Sequence, residues 1–413
     1  MAKPVIVFAG AVYPGQFGAL CDYLRTAGLA ETYFLTTPGH QAKNAHRGKH
    51  ILGFKPDGPV TGAQRYYYTA KLERSAHIGR GLLSALQQFE RHKKIDVVVT
   101  HSLWGAPHFL YDEIDAAIVS YIEFPSFRAH GWDPAYPPDQ AQRMVDRNTE
   151  MLNFHQALCS DLVICPSQHA KSMFPEALQS NIEVQLEGFA FEDTKKPEPK
   201  ERSAPLTIGF SARDLSNAKG FDTYVRLVDS LVERGLKANF VALGGSTGST
   251  YGYEQQWVER KYGGAVDSFR DHLMKIYPRA AEVIEFPGKL PYDDFVQKLA
   301  DIDIFLYPLR FGVANWGLVE ILGRGGCVLA PDRGYPAELI QDDVNGRLLP
   351  DDDGAWIQEI IALSEDPERR YRYGQAARAR ARLLYSVQAV APRYLGLFRL
   401  AAEKRQARIR NGS

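Results

Sequence analysis

The sequence has little of what several common protein classes require. Its 413 residues contain only four cysteines, and their spacing matches no metal-ligand motif. Three of these cysteines stand inside apolar runs, where a free thiol behaves as a small hydrophobic side chain. This pattern predicts a protein of a reducing compartment, the cytoplasm.

The chain also lacks net charge and long apolar runs. Lys plus Arg and Asp plus Glu both number 49, so no overall field favours nucleic acid, and we expect no nucleic-acid partner. No segment approaches the roughly 18 apolar residues that cross a bilayer, and the first apolar run is too short for a signal peptide. The sequence therefore predicts a protein that does not cross a membrane and could contact only its surface, at the inner face.

Length and the alternation of elements predict two domains. Short apolar strands alternate with helical patterns twice, which is typical of parallel sheets covered on both faces. A charged, proline-rich stretch separates the two series. We predict a Rossmann-like domain over residues 1–191, a linker over 192–205, a second Rossmann-like domain over 206–385 and a last helix over 386–413 that packs back on the first domain. The polar residues 38–62 are predicted to form a loop.

In such sheets ligands bind beyond the carboxyl ends of the strands. The first strand leads into a loop with Gly10, Gly15 and Gly18, and glycine allows a backbone to approach a ligand closely. Two later strands of the first half end at His101 and Glu123. These residues are candidates for binding or catalysis, and an ordinary semi-buried histidine is the alternative for His101.

Two cations in the second half stand where a diphosphate could bind. Arg213 and Lys219 follow a strand and precede a helix, so that both could converge on one diphosphate. The alternative is a pair of solvated surface cations.

A glycine-containing loop in residues 311–318 leads into a helix that begins at about Asn315. The unpaired N–H groups of a helix N-terminus favour a phosphate or a sugar hydroxyl, and Glu320 could accept hydrogen bonds from two ribose hydroxyls. An ordinary helix with a solvated glutamate is the alternative. Asp301 and Asp303 match an Asp-x-Asp pattern formally, but they open an apolar strand, so we expect a capping or salt-bridge role and no metal site.

These segments together resemble family 4 glycosyltransferases, and those of the first half are similar to a bacterial branch of that family. The second half carries Gly209–Arg213, Lys219–Gly220, Asp303–Pro308 and Gly317–Val328, and the first half carries Thr100–Gly105, Tyr121–Phe124, Trp132–Pro134 and Asp161–Pro175. The resemblance implies the GT-B fold, which consists of two facing, doubly wound, Rossmann-like α/β domains with a cleft between them. The N-terminal domain would be the acceptor side and the C-terminal domain would bind the donor.

The resemblance also implies a reaction. This reaction is the retaining, metal-independent transfer of a sugar from a nucleoside diphosphate-sugar, UDP or GDP, to the hydroxyl of a glycan or lipid-linked acceptor, as in polysaccharide synthesis by hexosyltransferase-like enzymes. No cofactor is implied. The diphosphate would contact Arg213 and Lys219, the ribose would contact Glu320, and the phosphate and sugar would contact the backbone of Asn315, Trp316, Gly317 and Leu318. Glu123 aligns with a strand end where many relatives carry a histidine that touches the donor sugar.

One departure from the family pattern concerns the donor sugar. The family has Glu-x7-Glu, but the position eight residues before Glu320 is Gly312. Asn315 or the backbone of residues 312–314 could replace the first carboxylate.

Two other functions remain open at this point. A nucleotide-sugar 2-epimerase has the same fold, and a non-catalytic nucleotide-sugar or carbohydrate-binding protein could have lost activity with the first carboxylate. The aromatic and cationic segment Phe124–Trp132, with Arg143 and Arg147, could form an acceptor rim or a packing surface. The basic run from Arg399 to Arg410 is compatible with contact to anionic lipid, and a solvated tail is the alternative.

Overall fold

The chain folds into two compact units. The computed structural model describes residues 3–62, 66–102, 107–191, 205–246 and 252–411. Unit 1 comprises the described residues of Met1–Gly131, Asp139–Ala190 and Tyr385–Ser413, and unit 2 those of Trp132–Pro138 and Phe191–Leu384. All of the predicted linker 192–205 except Pro205 lies outside the described residues.

Unit 1 is built on a parallel sheet whose seven described strands have the order β3-β2-β1-β4-β5-β6-β7. The strands are β1 Val5–Ala9, β2 Glu31–Thr36, β3 Ile51–Gly53, β4 Val97–His101, β5 Ala117–Tyr121, β6 Leu162–Cys165 and β7 Ile182–Val184. The helices before residue 190 are α1 Gly18–Thr26, α2 Pro38–Lys43, α3 Ala70–Glu90, α4 Phe127–His130, α5 Gln140–Cys159, α6 Gln168–Ser172 and α7 Glu176–Gln179.

Both faces of this sheet are buried, because successive side chains of β1 enter different cores. Ile6 and Phe8 pack with α1 and the C-terminal helix, while Val7 and Ala9 pack with α3. β4 and β5 are buried at every position. This burial agrees with their apolar sequences, which predicted a sheet covered on both faces.

Unit 2 repeats this plan with six described strands in the order β10-β9-β8-β11-β12-β13, all parallel to their neighbours. The strands are β8 Thr207–Asp214, β9 Asn239–Gly245, β10 Ile284–Gly288, β11 Ile304–Leu306, β12 Val328–Pro331 and β13 Arg347–Leu349. The helices are α8 Phe221–Glu233, α9 Glu254–Tyr262, α10 Phe269–Ile276, α11 Pro278–Val283, α12 Tyr292–Asp301, α13 Trp316–Arg324, α14 Pro336–Leu339, α15 Asp353–Glu365 and α16 Pro367–Tyr385.

The C-terminal helix α17, Val387–Asn411, belongs to unit 1. Its Tyr394 and Phe398 are buried in the core beneath β1, and the Arg405 guanidinium donates to the Ile114 carbonyl at 2.8 Å. Because Arg405 is 7 % exposed, the interpretation of this basic run as a solvated tail is wrong at that residue. In the part of the chain that the structure describes, no helix is both long and apolar enough to cross a membrane.

The prediction of a loop over residues 38–62 is wrong in part. Residues 38–43 form α2, and residues 51–53 form β3, which pairs with β2 at the edge of the sheet. A three-residue edge strand has too few apolar positions to show a period of two, so its sequence does not distinguish it from loop.

Candidate active site

The two loops that carry the sequence candidates of unit 2 start at the same point of its sheet. The strand order reverses direction between β8 and β11, so the loops after these two strands leave the sheet side by side. A 3₁₀ turn, Asn217–Lys219, follows β8, and residues 307–315 follow β11. The backbone N–H groups of Arg310 and Phe311 donate to the Ala218 carbonyl at 3.2 and 2.9 Å. The turn and the loop are therefore joined through their backbones.

Gly220 makes this close approach of the two loops sterically feasible. Its φ is +79°, and an added Cβ would lie 1.8 Å from the Pro308 carbonyl oxygen. A side chain would therefore both strain the backbone and push the two loops apart. Gly220 is also the N-cap residue of α8, so the same residue separates the turn from the helix.

Lys219 connects the turn to the N-terminus of α13. Its side chain is largely buried, and Nζ donates to the Asn315 side-chain oxygen at 3.4 Å. Asn315 is the N-cap residue of α13 but makes no side-chain capping bond, and among the described residues its buried Nδ2 has no hydrogen-bond partner. An ammonium group and the open end of a helix thus lie together, which is an arrangement that suits an anion.

The other predicted cation, Arg213, has a different environment. Its side chain is 66 % exposed, and Nε lies 3.6 Å from an Asp214 carboxylate oxygen. Arg213 lies near the end of β8. The alternative of two solvated cations therefore fits Arg213 better than it fits the buried Lys219.

Glu320 lies on α13 and is held by two neighbours. The Tyr292 hydroxyl donates to Oε1 at 2.7 Å, and the Arg324 guanidinium donates to the same atom at 3.2 Å. Burial and the hydrogen bond to the Glu320 carboxylate raise the pKa of Tyr292. Among the described residues Oε2 has no hydrogen-bond partner, so this oxygen can accept from a ligand.

The other predicted residues form the first turn of α13. Trp316 is exposed, whereas Leu318 is fully buried and its N–H donates to the Asn315 carbonyl at 3.1 Å. Gly317 lies next to the buried Tyr307, whose hydroxyl would be 3.9 Å from an added Cβ. Burial raises the pKa of Tyr307 well above its usual range, so its hydroxyl stays protonated.

Gly312 occupies the position of the missing carboxylate, and a side chain there would meet close neighbours. An added Cβ would lie 3.2 Å both from Asn315 Nδ2 and from the nearer Leu309 methyl carbon, which is tighter than ordinary contacts. A carboxylate at position 312 would therefore require Leu309 or Asn315 to move. The polar atom nearest to this space is the unpartnered amide nitrogen of Asn315.

Arg310 is a residue that the sequence analysis missed. Its guanidinium donates to Asp222 at 2.7 Å, to Thr223 at 3.0 Å and to Asp133 at 2.8 Å. Burial raises the pKa of Asp222, and the charge of Arg310 opposes that rise. Arg310 therefore ties the loop after β11 to the first turn of α8. No sequence signal marks it, since its partners are distant along the chain.

Unit 1 brings three polar side chains together at the corresponding point of its sheet, between β1 and β4. His101 ends β4, and its Nε2 lies 3.3 Å from Gln16 Nε2 and 3.4 Å from Glu123 Oε2. Gln16 lies in the glycine loop after β1 and was not among the sequence candidates. The structure thus joins His101 and Glu123 directly, whereas Trp104 and Gly105 of the neighbouring motif lie outside the described residues.

The glycine loop of unit 1 is a tight turn. Gly10 follows β1 and is buried, and Gly15 has a φ of +46°. An added Cβ on Gly18 would lie 2.2 Å from the Pro14 side chain, and the Gly18 N–H donates to the Pro14 carbonyl at 2.7 Å. The loop therefore turns sharply into α1 and carries Gln16 towards His101.

Among the described residues, one group of three side chains could hold a metal ion. The potential ligand atoms of Cys21, Asp22 and His50 all lie within 4.8 Å of one another. However, the Asp22 carboxylate already accepts hydrogen bonds from His50 at 2.8 Å and from Tyr13 at 2.7 Å. Burial raises the pKa of Cys21 to about 12, which disfavours the thiolate that a metal needs. The group is better described as a hydrogen-bond network behind the glycine loop.

Two family models match the chain, one on each half. The model described as "Glycosyl transferase family 4 group" matches residues 30–194, and the one described as "Glycosyl transferases group 1" matches residues 191–380. No curated protein sequence matches the chain significantly.

Solved structures with the same architecture cover nearly the whole chain. A sucrose-phosphate synthase from Thermosynechococcus elongatus is 16 % identical with a TM-score of 0.71, and covers 96 % of this chain and 98 % of its own. Anabaena HepE in complex with UDP is 15 % identical with a TM-score of 0.62, and the match covers 96 % of this chain and 99 % of the HepE chain. At this identity the likeness concerns the fold, and together with the two parallel sheets it confirms the predicted GT-B fold.

Proposed function

Because the chain belongs to the family 4 glycosyltransferases, we propose that it transfers a sugar from a nucleoside diphosphate-sugar to an acceptor hydroxyl with retention and without a metal ion. The observation that carries this proposal is the buried Lys219 ammonium beside the N-terminus of α13. The contact with Asn315 holds this positive charge at a helix end that itself favours anions. A bound diphosphate would therefore meet two features of complementary charge at one point.

The proposed role of the diphosphate site is to stabilise the leaving group. As the bond between the sugar C1 and the diphosphate oxygen breaks, negative charge grows on the diphosphate. Lys219, Arg213 and the positive end of the α13 dipole would oppose that charge more strongly in the transition state than in the ground state. In a retaining transfer the acceptor oxygen bonds to C1 on the face that the diphosphate leaves, and the hydroxyl proton passes to the departing oxygen. No separate base is then required.

The proposed metal independence has support in unit 2. Asp303, the second carboxylate of the Asp-x-Asp pattern, accepts a hydrogen bond from the Thr207 N–H at 2.8 Å. Thr207 opens β8 and Asp303 precedes β11, so this carboxylate joins two neighbouring strands. The cations Lys219 and Arg213 would neutralise the diphosphate in place of a divalent ion.

Two further contacts would orient the donor. Glu320 would accept hydrogen bonds from the ribose hydroxyls through Oε2, while Tyr292 and Arg324 hold Oε1. Asn315 Nδ2 would donate to a sugar hydroxyl near Gly312. This orientation of the Asn315 amide follows from Lys219, because an ammonium group can only donate and therefore faces the amide oxygen. A hydrogen-bond donor thus stands where the family carboxylate provides a hydrogen-bond acceptor, and a sugar hydroxyl can pair with either.

In unit 1, His101 and Glu123 are proposed to contact the sugars, with Gln16 in support, and the glycine loop would allow a close approach of the backbone. Anabaena HepE has been solved with UDP and with UDP-glucose, which favours a uridine donor over a GDP-sugar. We propose a glycan or lipid-linked acceptor in glycoconjugate or polysaccharide synthesis. The protein would be cytoplasmic, with peripheral contact to the inner face of the membrane.

A thermal-shift screen over UDP-, GDP- and ADP-sugars in EDTA tests this function. A donor at about 100 times its Kd stabilises the folded state by about 2.7 kcal/mol, which corresponds to a rise in Tm of about 3 °C if the whole chain unfolds together and about 7 °C if the donor-binding domain unfolds alone. We expect one nucleotide class, UDP-sugars, to give this shift. The selected donor is then incubated alone and with an acceptor panel. Glycosylated product supports the proposal, and an epimerised nucleotide-sugar formed without acceptor contradicts it.

A further inference from the structure

Helix α5 carries an apolar line on its solvent-exposed side. Met144, Met151 and Leu158 are 42, 56 and 66 % exposed and are spaced by seven residues. Seven residues are about two helical turns, so the three side chains lie in one row about 21 Å long. Arg147 and His155 are exposed between them on the same side. These five residues are called the α5 stripe below. Exposed apolar side chains are ordinarily scattered, and a row of them marks an interaction surface.

The α5 stripe contains a positively charged side chain and no negatively charged one. The two carboxylates within α5 point elsewhere, since Asp146 is buried and accepts from Gln142 at 2.8 Å. Glu150 is also largely buried and accepts from Ser126 and Arg128. Arg147 and His155 therefore face solvent without a carboxylate of their own helix, and the partner that complements them is anionic.

This charge pattern disfavours a second copy of the chain as the partner. Two α5 stripes that pair in parallel would place Arg147 against Arg147. Two that pair antiparallel about Met151 would place Arg147 against His155. The parallel arrangement brings two guanidinium groups together, and the antiparallel one buries Arg147 without a carboxylate, so both are unfavourable.

The surface continues from α5 to the end of α17. The Arg408 guanidinium donates to the Cys159 carbonyl at 3.2 Å, which fixes the last turns of α17 beside the C-terminal end of α5. The next two residues, Ile409 and Arg410, are exposed. An exposed carboxylate in this region, Asp112, lies 3.7 Å from the Arg405 guanidinium and is neutralised by it. One more apolar and one more cationic side chain thus extend the same pattern.

We propose that the α5 stripe docks the protein on an anionic bilayer surface. Its methionine and leucine side chains would enter the boundary between headgroups and acyl chains, and Arg147 would contact lipid phosphates. The inference rests on the membrane contact proposed above but not on the proposed reaction. It also places the lipid contact on α5 and the exposed Arg410, and not on Lys404 and Arg405, which make internal hydrogen bonds.

Co-sedimentation of the full chain with vesicles tests this assignment. One set of vesicles is phosphatidylcholine alone, and the other is equimolar phosphatidylcholine and phosphatidylglycerol. We expect binding to the anionic vesicles only, weakened by salt. The double variant Met151→Glu/Leu158→Glu should reduce the partition coefficient by tenfold or more, since it removes apolar burial and adds repulsion. Leu383→Glu, a change at an equally exposed leucine on α16, is the matched control and should bind as the unmodified chain does.

Three results would overturn the proposal. These are an absence of vesicle binding, binding that the double variant retains, and a dimer in vesicle-free solution that the double variant dissociates, since the last would make the stripe a contact between copies. UDP affinity and Tm are measured on the same variants. Because the stripe lies outside the proposed donor site, both should be unchanged. Failure of vesicle binding with intact UDP binding would therefore contradict the docking proposal and leave the proposed reaction standing.

Discussion

Replacement of Lys219 by alanine is expected to weaken binding of the selected nucleoside diphosphate by about 1.5–3 kcal/mol, the size of a hydrogen bond to a charged group. The corresponding loss of affinity is roughly tenfold to a hundredfold. The reason is that Lys219 is held at the N-terminus of α13 by Asn315 before any ligand binds, so little ordering of the side chain accompanies contact with the phosphate. Isothermal titration with the nucleoside diphosphate in EDTA measures the loss.

The controls for Lys219 separate charge from packing. Lys219→Met keeps most of the aliphatic stem and removes only the ammonium, so it should lose as much affinity as the alanine variant while it unfolds at a temperature closer to that of the unmodified protein. Lys237→Ala removes an exposed lysine just after α8 and should bind normally. Unchanged affinity in both Lys219 variants would remove this residue from the donor site.

Replacement of Glu320 by glutamine is expected to weaken ribonucleotide binding about tenfold, because a neutral amide is a weaker acceptor for ribose hydroxyls than a carboxylate. The same change should have little effect on the 2′,3′-dideoxy nucleotide, which lacks those hydroxyls. Titration of both nucleotides against both proteins gives the four affinities of a thermodynamic cycle. Glu282→Gln, at an exposed glutamate of α11, serves as the control.

The cycle also tests the alternative role of Glu320. Its Oε1 accepts from Tyr292 and Arg324, so the carboxylate could act only by holding these two side chains in place. In that case both nucleotides would lose affinity equally. An equal loss would therefore contradict ribose binding by Glu320.

The sequence predicted the elements that carry the candidate residues, because each of them is a local pattern. The strand, glycine loop and helix of residues 4–27 and the loop and helix around residue 315 can be identified from apolar periodicity and glycine alone. The structure places the first helix residue at Trp316, one position beyond the predicted start. Local patterns were least informative for β3 and α2, which have only three and six residues.

The pairing of the candidate residues could not be predicted, because it depends on the order of the strands. Lys219 and Asn315 are 96 positions apart and meet because β8 and β11 are neighbours. Arg310 and Asp222 are 88 positions apart and meet for the same reason. In unit 1 the contact of Gln16 with His101 requires β1 beside β4. In each case the sequence shows the side chain and only the fold shows its partner.

A side chain at Gly312 would meet close neighbours. The space that it would occupy is bounded by Leu309 and by the amide of Asn315. A carboxylate there would require one of these two side chains to shift by a few tenths of an ångström. In the proposed donor site the Asn315 amide and the loop backbone would contact the sugar, so that hydrogen-bond donors would stand where the family pattern presents an acceptor.

The anomeric configuration of the sugar product distinguishes the proposed retaining, metal-independent transfer from its alternatives. The selected nucleotide-sugar and an acceptor from the panel are incubated with the protein in excess EDTA, and the anomeric proton of the product is followed by NMR. We expect a product with the configuration of the donor, formed at the same rate with and without EDTA. An inverted configuration, or turnover that returns only when Mg²⁺ or Mn²⁺ is added, would contradict it.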